Sequence, residues 1–215
     1  MPHRLRQLVL ALPLLACLLA PAQPSPWQGW LAAGEQALRE QHFPEAGRYF
    51  DTALSEAETF PAGDLRINAV LAAQARLYRA WRPAQGEVRF RDLIDRWTRQ
   101  RGADDPAVAS ALVALAALLH RDPPVAEDDA RLTPLYARAQ RIRAAAYGED
   151  APCLTETLER LAVYAALAGR DDDAVAAYAR AIAIKEAAEE RDTELAQLYY
   201  ALADRQYAAR RDADA

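Results

Sequence analysis

From Trp27 onward apolar positions recur at helical spacing, and nowhere do β-branched residues alternate with polar ones as a half-buried strand requires. Helix-length segments are separated by short breakers. These are Phe43-Pro44, Pro61-Ala62-Gly63, Arg82-Pro83, the stretch from Gly102 to Pro106, Asp122-Pro123-Pro124, the stretch from Gly148 to Pro152, and Gly169-Arg170-Asp171. They predict helices over 27–41, 44–59, 64–81, 84–101, 105–120, 127–147, 152–168, 171–190 and 192–210. Connections this short join antiparallel neighbours. The pattern therefore predicts an all-α chain of helical hairpins.

Two second helices carry nearly the same words. Tyr136-Ala137-Arg138-Ala139-Gln140-Arg141-Ile142-Arg143 returns 42 residues later as Tyr178-Ala179-Arg180-Ala181-Ile182-Ala183-Ile184-Lys185. A period in this range signals a solenoid. Gly102 and Pro106 stand 46 residues before Gly148 and Pro152, so Phe90 is the counterpart of Tyr136 and Leu93 that of Ala139. The repeats fall near 27–60, 64–101, 105–147 and 152–190, and the final helix, 192–210, opens a fifth unit. The second repeat departs from the others, with Gln74 at a position for a small residue and Gly86 inside a helix. The sequence shows no second helix for the fifth unit; either the last helix is a cap or the chain has been cut. Tyr199, Leu202 and Ala203 are then expected to lack a covering helix, which marks them for a partner or for self-association.

Composition narrows the class. The chain is 52% hydrophobic, with a mean hydropathy of −0.24, enough apolar surface to bury a core and too much for wholesale disorder. The formal net charge of −5 removes the basic footprint of a nucleic-acid binder. Lys185 is the single lysine among 26 basic residues and Asn68 the single asparagine, a composition read as GC-rich bacterial coding.

Residues 1–22 read as an export signal: Arg4 and Arg6, an apolar run from Leu8 to Leu19 broken at Pro13, then Ala20-Pro21-Ala22. The run is too short to span a bilayer. Residues 23–26 are a linker, and 27–210 form the repeat domain. Leu14-Leu15-Ala16-Cys17 resembles the lipobox of bacterial lipoproteins, which implies an acylated Cys17. Soluble export and a lipid anchor both stay open. If Cys17 leaves with the signal, Cys153 has no intrachain partner and is read as a small apolar helix residue.

No catalytic motif stands out. His3, His42 and His120 are far apart, and no phosphate loop or nucleophile elbow is present. Neither enzyme activity nor a metal or cofactor is expected. Asp171-Asp172-Asp173 reads as a helix start, its carboxylates capping free N–H groups and complementing the dipole. Asp104-Asp105-Pro106 follows the same logic.

Trp30, Gly34, Phe43, Ala46, Phe50 and Ala53 resemble the tetratricopeptide repeat family. Pro134-Leu135-Tyr136, Arg138-Ala139, Ile142-Arg143, Gly148 and Pro152 resemble its kinesin-light-chain variety. The resemblance covers everything after the signal. It implies a right-handed α-solenoid of antiparallel hairpins, four repeats plus one terminal helix, whose first helices line a concave face. Carried onto this sequence, that face is Leu31, Glu35, Leu38 and Arg39; Asn68, Leu71, Tyr78 and Arg79; Ser110, Val113, Ala117 and Arg121; Glu156, Glu159 and Val163; and Gln197, Tyr200, Asp204 and Tyr207. Arg39, Arg79 and Arg121 fall at equivalent positions, a ladder suited to carboxylates of a peptide. The chaperone-tail clamp of some family members is not supported, since its positions hold Glu35, Ala75 and Leu31. The expected function is an exported, periplasmic or envelope-associated scaffold for a protein or peptide. The alternatives are a lipid-anchored accessory subunit of an envelope assembly or secretion machine, and a regulatory accessory domain.

Overall fold

Prolines start several helices, a carboxylate caps α5 (Pro106–Leu119), and two glycines stop helices. The expected capping by Asp171–Asp173 is not made, since Asp171 and Asp173 pair with Arg205 and Arg170. Pro44, Pro83 and Pro106 occupy first-turn positions, where no N–H is needed. Asp105 accepts the Ala107 N–H at 2.8 Å. Gly102 and Gly148 close α4 and α6 with φ of 101° and 96°, a region that a side chain would strain. The computed structural model describes residues 26–190 and 192–213. The export signal, with Cys17, lies outside them.

Among the described residues there are nine α-helices and no strand: α1 Pro26–Arg39, α2 Phe43–Ala57, α3 Ile67–Trp81, α4 Pro83–Arg101, α5 Pro106–Leu119, α6 Asp129–Tyr147, α7 Thr155–Leu167, α8 Asp171–Ala187 and α9 Thr193–Ala213. α6 and α7 are each preceded by a 3-10 turn, Ala126–Asp128 and Pro152–Leu154. α3 begins at Ile67 instead of the predicted 64. Asp64 holds both the backbone N–H and the Nε of Arg66 at 2.9 Å, which keeps those residues in a turn after Gly63.

The fold is an α-solenoid. α1 packs on α2, α5 on α6 and α7 on α8 as hairpins, and α9 lies against α8. Each later first helix also packs on the second helix before it: α3 on α2, α5 on α4, α7 on α6. In the first hairpin a Cβ on Gly34 would run into the Phe50 ring, so the helices close only because that residue is glycine. α3 and α4 touch least of the four pairs. Gln74, which departs from the repeat, is buried and donates to Asp51 of α2 at 2.9 Å. Gly86, the other departure, lets α4 approach Tyr78, whose Cγ would lie 2.8 Å from an added Cβ.

The main apolar cluster runs from Trp27 to Tyr164 around α5, every residue of which from Ala107 to Ala116 is buried. A second cluster joins Leu154, Leu158, Tyr178, Ile182 and Leu198 of α7–α9 and the turn before them. The repeated words do the same work twice. Tyr136 and Tyr178 are buried. Arg138 and Arg180 donate to the carbonyls of Ala103, at 3.3 Å, and Glu149, at 2.8 Å, the residues just after Gly102 and Gly148. The closing bases Arg143 and Lys185 are also buried. Arg143 donates to the Cys153 carbonyl at 3.0 Å, and Lys185 lies 2.9, 3.1 and 3.2 Å from Glu190, Asp192 and Glu194.

Other arginines tie each hairpin to the one before it. Arg89 pairs with Asp51, Arg96 with Glu58, Arg131 with Glu87 at 2.7 Å, Arg170 with Asp129 at 2.9 Å, and Arg205 with Asp171 at 3.4 Å. The arginine content, read from sequence as a coding bias, thus has a structural use.

Candidate binding groove

α7 offers its core Leu158, Ala162 and Ala165, at helical spacing. The same spacing leaves Glu159, Arg160 and Val163 half-buried on the flank that looks towards α9. α9 seats Leu198 against α8, with Leu195 and Leu202 half-buried beside it. Between the two first helices lies a groove of about 280 Å³ lined by Glu159, Arg160, Val163, Tyr178, Gln197, Leu198 and Ala201. Three of these, Glu159, Val163 and Gln197, are residues that the repeat register places on the inner face.

Among the described residues Glu159 has no hydrogen bond or ion pair, and nor has Arg160. Burial pushes the Glu159 carboxyl above its ordinary range. Arg160 opposes that push, Glu194 and Glu156 add to it, and Lys185 lessens it. On the other flank, His120 closes α5 and its Nδ1 lies 2.7 Å from the Tyr164 hydroxyl, whose ring stacks on Tyr136. Burial first, and then Arg160 and Arg79, lower the His120 pKa, so the imidazole is neutral at pH 7. A larger hollow of about 530 Å³ lies at the α8–α9 turn, but there Tyr199 is bonded to Glu186, and Lys185 holds Glu190 and Asp192.

The structure sorts the remaining inner-face candidates. Leu71, Tyr78, Ser110 and Val113 are buried, so they are core and are not available to a partner. α5 is enclosed by α3, α4 and α6, which is why its nominated positions are lost. Leu31 and Leu38 are half-buried against the core. The Asn68 Oδ1 is buried without a partner. Glu35 pairs with Arg76 at 2.9 Å, Glu156 lies 3.7 Å from Arg143, and Asp204 pairs with Arg205. Ala117 is half-buried, and its carbonyl accepts from Arg79 at 3.3 Å. Arg121 is committed to Asp128 through two bonds of 2.8 and 2.9 Å. Of the three aligned arginines, Arg39 alone is exposed without a bond to the described residues. Tyr200 and Tyr207 are 78% and 66% exposed on α9. Leu202 is not uncovered as expected, because it packs on the α8 cluster. Arg160 was not found from sequence; it stands one residue past a nominated position, and only the packing of α7 turns it into the groove.

Among the described residues no three His, Cys, Asp or Glu side chains stand together as metal donors, and no helix is long and apolar enough to cross a membrane. Cys153 is half-buried and free, its thiol held protonated by burial.

Stacked antiparallel hairpins whose first helices share one face define a tetratricopeptide-like repeat fold. Solved structures of that class match the chain. BtubC (BKLC) from P. vanneervenii superposes with a TM-score of 0.65 at 20% identity, over 85% of this chain and 72% of that one. A Podosopora anserina protein described as a kinesin light chain, with nearly identical TPR-like repeats, superposes with a TM-score of 0.55 at 17% identity, over 88% of this chain and 93% of that one. No family model and no curated protein matches the sequence.

Proposed function

We propose that the protein is an exported scaffold that holds a peptide or protein partner along the face of its first helices, and that it binds without catalysing. One observation carries the reading. Glu159 and Arg160 stand half-buried over an apolar floor, and among the described residues neither makes a hydrogen bond or ion pair. Charged groups withdrawn from water are costly unless paired, so a ligand that satisfies them gains what the free protein lacks. Export rests on residues 1–22, and Leu14 to Cys17 favour a second form in which the scaffold is anchored by an acylated Cys17.

Two measurements test this. Affinity capture from an envelope extract, with the wild type and with Val163→Arg, should yield a partner that the variant loses at unchanged helical content. Equal capture by both, or by neither, would refute the groove as the binding site. The mass of the mature N-terminus should begin at Gln23 for a soluble protein or at a lipidated Cys17 for an anchored one; an uncleaved Met1 would refute export.

A further inference from the structure

We infer that the α7/α9 groove takes a lysine or arginine side chain of the partner, its charge against Glu159 and its stem along Val163, Leu198 and Ala201. This rests on the scaffold reading and adds the chemistry of the ligand. The groove has two requirements at once. Its floor is apolar, with Leu198 and Tyr178 buried beneath it. Its wall carries a half-buried carboxylate that no donor among the described residues reaches. A long basic side chain meets both, because its methylenes cover apolar surface while its head stays with a polar group.

Other occupants fit less well. A purely apolar side chain would strip the remaining water from Glu159 and leave it unpaired. An acidic side chain would meet Glu159 together with the carboxylates of Glu156 and Glu194, whose charges already act on Glu159 in the unfavourable direction. Nor is the acid neutralised from within. Arg160 makes no ion pair with it, and Lys185, the next cation acting on it, is bound to Glu190, Asp192 and Glu194. Arg160 lines the same groove and makes no hydrogen bond to the described residues, so its guanidinium supplies donors for a main-chain carbonyl of the same bound segment.

The test uses the mature full-length protein and a bead-displayed nonapeptide library, degenerate at every position. The wild type should enrich Lys or Arg at one position by about tenfold or more. Glu159→Gln, which removes no hydrogen bond, should erase that enrichment. Gln197→Glu, an added acid on the exposed opposite wall, should increase it. Enrichment of peptides with no basic position, or a basic preference untouched by both variants, overturns the inference while leaving the scaffold reading in place. No enrichment of any sequence by the wild type counts against the scaffold reading itself, and the inference falls with it.

Discussion

Gly29 and Gly34 lie in the same helix and do opposite things. Nothing stands within 4 Å of a Cβ built on Gly29, whereas one on Gly34 would come 2.5 Å from the Phe50 Cδ1. Gly29→Ala should therefore stabilise the fold by roughly 0.5–1 kcal/mol, through helix propensity alone. Gly34→Ala should destabilise it, because overpacking a closed core costs about 1–3 kcal/mol against that gain. Urea midpoints at unchanged slope check the pair. Gly34 was legible in the sequence, because a glycine one turn from an aromatic repeat position has a packing reason. Arg143 and Lys185 were legible as a repeated base but not as buried ones. Burial of a base depends on acceptors, and these come from the turn or helix that follows: the Cys153 carbonyl for one, Glu190, Asp192 and Glu194 for the other.

Helices outlined by their breakers were read to within a few residues. What each helix touches was harder. α5 has no polar face to orient it, and its burial by three neighbours removes Ser110 and Val113 from any binding surface. α6 reaches across the array: the Tyr147 hydroxyl, at its last residue, donates to the Gly63 carbonyl at 2.8 Å. That bond joins the third hairpin to the loop between the first two. Tyr147→Phe should cost about 1 kcal/mol, the net value of one such bond, with little change in helical content. A denaturation midpoint equal to that of the wild type would show that the bond contributes nothing.

At the scale of the molecule, charge pairing within and between hairpins makes stability depend on pH. Asp64, Asp128 and Asp129 are held below the ordinary range chiefly by Arg66, Arg121 and Arg170, Glu87 by Arg91 and then Arg131, and Asp192 by the Leu195 N–H and then Lys185. A depressed carboxyl contributes stability that is full above its unfolded value, about 4, and is lost as pH falls through the folded value. Asp51 and Glu159, raised by burial, act in the opposite sense and are outnumbered. The melting temperature should hold between about pH 7 and 5 and fall below about 4. Arg170→Gln should shallow that fall, since it frees Asp129; an unchanged acid limb would remove Asp129 from its causes.

The sequence by itself determined the helices, their hairpin pairing and their period. These follow from the angular spacing of apolar residues and from prolines and glycines, which act on the few residues around them. Tertiary structure alone decided which arginine meets which carboxylate. Pairs such as Arg131 with Glu87 or Arg170 with Asp129 lie more than forty residues apart in the chain, and the angle at which the hairpins stack selects them from many equivalent charges. The same stacking buried Leu71 and Val113 and left Glu159 and Arg160 without a hydrogen bond to the described residues. A register names the side of a helix, but the neighbouring helix decides whether that side is open.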